Sequence, residues 1–432
     1  MRRPHPQPQP PRQGTVSTIA VAAFVTSVGM VGPFLLSAQG VWISQDLGFA
    51  EASLGTAVSA FFAAAAVSAM ALARTSGAWL GRRGYQIGGV LISLGAAGVG
   101  LLAQRAWHVA VAMVVIGVGN AVCQVTANLL LARALVVHRR GLGFGVKQSS
   151  GPIALAAAGL VIPSVGATLG WRASFLGLAA GSLILSFALQ RLATAPSPGP
   201  PGRTDTASPS DRPPFAPVLL CAGAMVLGSA AGNFFVAFSP SWLHVQGLSV
   251  EVAGLLVGAG GILCCVVRVL LGLVADRRHG GNLSVVAGQF VLASVLLGAV
   301  AVLAGAPLAA VIAVAFAVGW SWPGLLLYAI VRVSRETPGM GSGAVQAGAF
   351  TGGALGPMLL GWVVSTAGYA TAWSIASGLF VLGAVFIGLG QRGFRRDLRT
   401  RPPSAPLGYG GGWSAPRMTA GDRPPAPSSG AS

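Results

Sequence analysis

Twelve long apolar runs constrain this chain more than any other feature. Each is close to the ~20 residues that an α-helix needs to cross the hydrocarbon core of a bilayer. Apolar residues make up 53% of the chain and charged residues only 8%, more apolar surface than a water-soluble protein can bury. The sequence therefore predicts an all-α polytopic membrane protein. The predicted spans are 15–38, 51–74, 85–104, 108–135, 143–166, 171–192, 216–239, 250–274, 283–305, 308–331, 341–366 and 370–391.

Arginines in the connections predict the orientation of these spans. The connections on one side contain only Arg105 and Arg172. Those on the other side contain Arg82, Arg83, Arg139, Arg140, Arg203, Arg212, Arg277, Arg278 and Arg335. Because cytoplasmic loops are rich in arginine, both termini are predicted to be cytoplasmic. The net charge of +18 then reflects membrane topology and not nucleic-acid binding.

The polar segments divide the chain into two bundles. Residues 1–14 and the basic segment 392–432 are predicted to be disordered tails, and 194–214 to be a cytoplasmic linker. An internal repeat supports two halves, 15–193 and 215–391. A shift of 195 places Gly77, Arg82 and Arg83 on Gly272, Arg277 and Arg278, and a shift of 198 places Gly143, Gly145 and Gln148 on Gly341, Gly343 and Gln346. Such an offset predicts two parallel six-helix repeats.

A short basic motif occurs once in each half. The second copy runs from Gly272 through Asp276, Arg277 and Arg278, and the first runs from Gly77 to Gly84. This spacing resembles the loop signature Gly-x-x-x-Asp-Arg-x-Gly-Arg of the major facilitator superfamily, without identifying a subfamily. The resemblance implies two bundles that rock about a central site lined by helices one, four, seven and ten.

The same resemblance implies which residues control gating. Arginines on helices four and ten, here Arg133 and Arg332, would pair with the loop aspartate. Arg332 has Asp276 as a partner, whereas the first copy carries glycine at position 81. Arg133 is then either free to meet substrate, or the second half carries the gating. The predicted gating set is Gly77, Arg82, Arg83, Arg133, Gly272, Asp276, Arg277, Arg278, Arg332 and Glu336.

Two cations lie within predicted spans. Arg268 precedes Asp276 by eight residues, which places it ~12 Å deeper along the helix. Lys147 is the only lysine in the chain. A cation in the hydrocarbon costs at least ~2.5 kcal/mol unless a cavity, partner or ligand compensates. The two side chains therefore either bind an anionic substrate or extend to the inner surface.

Amides form a second polar set. Asn120, Gln124 and Asn128 follow one another at four-residue spacing, so they share one face of helix four. They are predicted to face water, although amides within spans also bond neighbouring helices. In helix ten, Pro323 favours a bend and frees a backbone carbonyl beside Trp320. The predicted substrate-binding set is Arg268, Lys147, Gln148, Asn120, Gln124, Asn128, Asn233, Trp320 and Gln346.

The nine acids lie at span ends, in loops or in tails, whereas proton-coupled transporters usually bury a carboxylate. A titrating group, if protons are coupled, would be Lys147, a substrate carboxylate, Asp46 or Glu51. The histidines have no metal-ligand spacing, and no nucleotide fingerprint or catalytic triad is evident. We therefore predict no metal, no cofactor and no catalytic residue.

Together these patterns predict a secondary transporter in the bacterial inner (plasma) membrane, not an enzyme. It would move a small anion by alternating access, as a monomer, coupled to a proton or counter-anion. Its partners would be this solute and the lipid bilayer, without nucleic acid. Proton-coupled export of a drug or metabolite is an alternative. A non-transporting sensor or scaffold is an alternative of another class, favoured by the aspartate missing at position 81.

Overall fold

The computed structural model describes residues 12–74, 83–134, 146–192, 213–277, 281–333 and 338–401, and within these ranges it is helical and without strands. In the first half, α1 is Arg12–Ala38, α2 Glu51–Arg74, α3 Arg83–Ala97, α4 Ala106–Ala134, α5 Ser150–Val161 and α6 Trp171–Leu192. In the second half, α7 is Phe215–Val245, α8 Val250–Arg277 and α9 Asn282–Val302, while α10 comprises Gly305–Gly319 and Pro323–Val333. The last helix is Pro338–Thr400.

The last helix contains two spans. Eleven helices among the described residues are long and apolar enough to cross a membrane, and the last candidate, Gly341–Thr400, has 60 residues. A straight helix of that length would measure ~90 Å, about three times the hydrocarbon thickness. Gly368 interrupts it with a left-handed φ of 81°, which glycine adopts without strain. We name 338–367 α11 and 369–400 α12, so twelve spans result and the predicted fold class is confirmed.

Several spans are interrupted. The short helix Gly40–Leu47 follows α1, and π-helical turns Gly98–Leu102 and Ile162–Gly166 prolong α3 and α5. Helix α10 is broken at 320–322, immediately before Pro323, as the proline predicts. We use "outer ends" for the helix ends at the connections 39–50, 103–105, 167–170, 246–249 and 303–304 and at Gly368, which the arginine pattern predicts to be outside.

Within each half the helices pack through small residues. Helix α3 contacts α4 and α6, and α7 runs along α11 and α12. At the α3–α4 contact, a Cβ added at Gly84 would lie 2.0 Å from the Oγ1 of Thr126, so only glycine permits this approach. The most extensive contacts between the halves are those of α1 with α7, α2 with α11 and α5 with α8.

Three predicted boundaries are corrected. Helix α1 begins at Arg12, inside the segment predicted to be disordered. Helix α7 continues to Val245 with Pro240 inside it, although the prediction ended at 239. Helix α12 extends nine residues beyond 391, because Phe394 and Leu398 are buried against the protein and stabilise the helix there. Only 402–432 of the predicted tail remains outside the described residues.

Candidate functional site

Arg268 joins the two halves of the protein. Its Nη1 donates to the carbonyl of Gln148 in the segment leading into α5 (2.5 Å), and its Nη2 donates to the carbonyl of Trp320 in α10 (2.5 Å). The guanidinium also lies 5.1 Å from the centre of the Trp320 ring, within cation–π range. We call these contacts the Arg268 bridge. The predicted cation is therefore inside the protein, and two backbone carbonyls stabilise it.

Two prolines explain why these carbonyls are available. In an α-helix the carbonyl of residue i accepts the N–H of residue i+4. The residue four positions after Gln148 is Pro152, which has no N–H. Trp320 is the C-terminal cap of Gly305–Gly319, and Pro323 prevents the helix from continuing. A buried carbonyl without a donor is costly, so Arg268 stabilises both broken helices.

Trp320 lies where the two halves meet. It is 6% exposed, and its ring meets Phe34 of α1 edge to face at 5.6 Å. Gly151 and Gly232 provide the space, since a Cβ added at either would lie 3.3 or 3.2 Å from the indole. Trp320 was predicted from the sequence, but Phe34 and the two glycines were not. Gly151 stands directly before Pro152, whereas nothing in the local sequence of Gly232 distinguishes it from other small residues in apolar runs.

Lys147 has a different environment from Arg268. It is 5% exposed and forms no hydrogen bond or ion pair with any residue that the structure describes. Its neighbour Gln148 is partly buried and lies against α10, since a Cβ added at Gly324 would be 3.8 Å from the Cβ of Gln148. The structure therefore buries the solitary lysine without a partner among the residues that it describes.

The three amides of α4 do not share one environment, contrary to the prediction that all face water. Asn120 is 1% exposed and packs on α1, where a Cβ added at Gly29 would lie 2.7 Å from its Oδ1. That oxygen has no hydrogen-bond partner among the described residues. Gln124 is partly buried and Asn128 is exposed. The three amides lie on the same face of α4, but α1 covers only the end of that face that carries Asn120.

The remaining predicted amides are dispersed. Asn233 of α7 donates to the carbonyl of Ser229, four residues earlier in its own helix (2.8 Å). Gln346 of α11 is partly buried. The structure therefore brings Arg268, Gln148 and Trp320 into contact, and it shows no contact of Asn233 or Gln346 with that group.

The predicted gating set is described only in part. Arg332 donates to the carbonyl of Ala275 (3.3 Å), the residue before Asp276, and lies 4.4 Å from the ring centre of Tyr328. Arg83 is exposed at the start of α3. Gly77, Arg82, Arg278 and Glu336, and the side chains of Arg133, Asp276 and Arg277, lie outside the described residues.

Gly272, the first residue of the second copy of the motif, is exposed on α8. A Cβ added at Gly272 would meet no atom within 4 Å, so this glycine provides no close contact here. Small residues instead mediate the approach of the halves at their outer ends.

Two glycine-rich contacts join the halves there, and we call them the outer seams. In the α2–α11 seam, a Cβ added at Gly55 would lie 2.1 Å from the carbonyl oxygen of Pro357. Two hydrogen bonds cross this seam, from the N–H of Met358 to Ser59 Oγ (3.0 Å) and from the N–H of Ala52 to Ser365 Oγ (3.2 Å).

The α5–α8 seam is the counterpart of the first. A Cβ added at Gly159 would lie 2.6 Å from the carbonyl oxygen of Gly254 and from the backbone N of Gly258. Shifts of 199 and 198 place Gly55 on Gly254 and Gly159 on Pro357, so the internal repeat relates the two seams. The repeat was visible in the sequence, but these residues were not predicted as site residues.

Asp46, one of the two acids considered for proton coupling, is engaged at the outer ends. Its carboxylate accepts hydrogen bonds from the Nε1 of Trp171 (3.2 Å) and the Nη2 of Arg172 (3.2 Å). These contacts attach the short helix Gly40–Leu47 to the start of α6. The predicted outer connections contain few arginines, and the ion pair with Asp46 accounts for the presence of Arg172 in one of them.

Comparisons with known proteins agree with this architecture. The sequence profile of the Major Facilitator Superfamily matches residues 17–344. A chloramphenicol resistance protein of Streptomyces lividans is 27% identical over 402 residues, covering 89% of this chain and 97% of that protein. An MFS-type efflux pump of Mycolicibacterium smegmatis is 28% identical over 275 residues, which are 60% of this chain and 62% of the pump.

Solved structures match over most of the chain. A bacterial homologue of the human lysosomal transporter Spinster, in an inward-facing and unoccupied conformation, superposes with a TM-score of 0.65 at 14% identity. The match covers 90% of this chain and 98% of that one. The occupied inward-facing form gives a TM-score of 0.64, with 91% and 98% covered. At this identity the likeness concerns the fold.

Proposed function

The chain belongs to the Major Facilitator Superfamily, and we propose that it exports a small drug-like organic molecule by alternating access. The observation that carries this proposal is the similarity to the Streptomyces lividans chloramphenicol resistance protein over 97% of that protein's length. The aromatic centre formed by Phe34 and Trp320 suits an organic solute with an apolar part. Membership of a family of transporters favours this function over an enzymatic one.

The Arg268 bridge supports a role in the transport cycle. Arg268 belongs to the second half and Gln148 to the first, so separation of the halves at this depth breaks their hydrogen bond. In this proposal the bridge holds the two halves together at the depth of Arg268. The segment that leads into α5 supplies the carbonyl of Gln148, which accepts the hydrogen bond. Arg268 then acts between the halves, whereas the sequence alone indicated a substrate ligand.

Drug export is tested by expressing the protein in a susceptible bacterium whose own efflux pumps have been deleted. We expect raised minimum inhibitory concentrations for chloramphenicol or another apolar antibiotic, together with reduced accumulation of the labelled compound. An Arg268→Gln variant present at the same level in the membrane is the matched control. Unchanged resistance and accumulation across a broad panel would contradict export and favour the non-transporting sensor or scaffold.

Anion transport is the second candidate, and Lys147 favours it. A buried cation without a partner is costly, and an anionic ligand would offset that cost. In proteoliposomes, we expect Lys147→Gln to reduce uptake of an anionic substrate at least ~10-fold, because a charge-assisted contact contributes ~1.5–3 kcal/mol. Lys147→Arg should keep a larger share of the activity, since it preserves the charge.

This assay distinguishes drug export from anion transport. If Lys147→Gln leaves transport of anions unchanged but alters that of neutral drugs, the charge argument is wrong and drug export stands. The remaining predictions belong to the same proposal. They are a monomer in the inner membrane with cytoplasmic termini, operating by symport or antiport with a proton or counter-anion. The predicted substrate and gating residues remain part of it.

A further inference from the structure

The end of α12 forms a basic surface beyond the membrane span. Four arginines, Arg392, Arg395, Arg396 and Arg399, follow the spacing i, i+3, i+4 and i+7, so they occupy one face of the helix. All four are exposed. We call this face the arginine stripe. Its regular spacing and its helical backbone distinguish it from a random basic tail.

The opposite face of the same segment is attached to the protein. Phe394 and Leu398 are 3% and 5% exposed. A Cβ added at Gly393 would lie 2.5 Å from the ring of Pro217 in α7, and Gln391 Nε2 donates to Ser284 Oγ of α9 (2.7 Å). These contacts fix the rotation of the helix, so the stripe is held away from the bundle.

Asp397, the acidic residue of this segment, is paired with an arginine outside the stripe and so does not neutralise the stripe. Asp397 forms an ion pair with Arg401, the residue that follows the end of the helix. The stripe therefore presents four cations to one side. Guanidinium groups bind phosphate oxygens in a bidentate manner, which favours phosphate as the partner.

The position of the stripe identifies the source of that phosphate. It begins where the apolar part of α12 ends, and Arg392 and Arg399 are ~10 Å apart along the axis. A headgroup layer is ~5–8 Å thick, and arginine side chains reach several ångströms further. Phe215, two residues before the packed Pro217, is 79% exposed, as expected for an aromatic ring at a membrane interface. We infer that the arginine stripe binds the headgroups of anionic phospholipids in the adjacent leaflet.

The test uses the full-length protein in a neutral detergent. Retained lipid is measured by native mass spectrometry, and the midpoint of thermal unfolding is measured with added phosphatidylglycerol, phosphatidylcholine or glycerol 3-phosphate. We expect phosphatidylglycerol to bind and to raise the midpoint, while phosphatidylcholine and glycerol 3-phosphate do so weakly. Since each arginine near a membrane surface contributes about fivefold, Arg395→Gln/Arg396→Gln should weaken phosphatidylglycerol binding ~25-fold.

The matched control is Arg105→Gln, which removes one exposed arginine at the opposite, outer ends and should leave phosphatidylglycerol binding nearly unchanged, whereas the single Arg395→Gln should weaken it ~5-fold. Arg392→Gln/Arg399→Gln provides a second pair on the stripe and should weaken binding in the same way. Equal losses in the stripe and control variants would overturn the inference. Equal binding of phosphatidylcholine would overturn the preference for anionic lipid, and an equal effect of glycerol 3-phosphate would assign the surface to soluble phosphate.

Discussion

Export by an Arg268→Gln variant is expected to fall at least ~10-fold below that of the unaltered protein. The substitution removes the cation and the fork that reaches the carbonyls of Gln148 and Trp320 together. Each hydrogen bond from a charged donor contributes ~1.5–3 kcal/mol, so losing even one is enough for such a change. Arg268→Lys should be intermediate, because a single ammonium replaces a planar group that spans two acceptors. Drug export from loaded cells, normalised to membrane-inserted protein, measures the effect.

A substitution at Pro152 tests the hydrogen bond between Arg268 and Gln148 without removing the charge of Arg268. Pro152→Ala restores an N–H four residues after Gln148, and this donor competes for the carbonyl that Arg268 uses. We expect a partial loss of export, smaller than that of Arg268→Gln. Pro240→Ala removes a proline from inside α7 without touching the bridge and should have little effect. If the two proline variants behave alike, the hydrogen bond to Gln148 is not part of the cycle.

A methyl group at either outer seam is expected to shift the protein toward a state with separated outer ends. Gly159→Ala would place a Cβ 2.6 Å from backbone atoms of α8, and Gly55→Ala would place one 2.1 Å from a carbonyl of α11. Backbone atoms cannot move aside as a flexible side chain can. Overpacking of this kind costs ~1–3 kcal/mol, which changes a two-state equilibrium by ~5- to 150-fold.

Cysteine labelling measures this shift. Ala38→Cys introduces a thiol at a site 1% exposed, where Ile162 and Val250 of the neighbouring helices cover it. A membrane-impermeant maleimide added from the predicted outer side should react faster in Gly159→Ala and Gly55→Ala backgrounds. Gly177→Ala and Gly378→Ala serve as controls, because a Cβ at either position meets no atom within 4 Å. Equal labelling in all four backgrounds would contradict a role of the seams in closing the outer ends.

The positions of the spans could be predicted from the sequence because the bilayer requires each span to be apolar. A helix that crosses the hydrocarbon must be apolar over ~20 residues, so hydropathy alone located twelve spans. Even the boundary errors have local causes. Pro240 resembled a helix end, and the arginines after 391 resembled a tail, although Phe394 and Leu398 anchor that segment to the bundle.

The Arg268 bridge could be predicted only in part from the sequence. The depth of the arginine and the carbonyl freed beside Pro323 were both evident, and Pro152 stands four residues after Gln148. The identity of the acceptors was not evident, because Arg268 and Gln148 are 120 residues apart and on different helices. An anionic ligand was the natural inference for a buried cation in a chain without buried acids. The tertiary structure offers two carbonyls instead, and it leaves Lys147 as the cation without a described partner.

By itself, the sequence determined the membrane class, the number of helices, the two-fold repeat and the chemical types available at the centre. Only the tertiary structure decided which faces meet, such as Asn120 on Gly29, Arg268 on Gln148 and Gly159 on Gly254. In water-soluble proteins, apolar periodicity marks the buried face of a helix. Here lipid-facing residues such as Val291 and Val295 are as apolar as the buried Phe290, so periodicity carries little information about which neighbour each helix contacts.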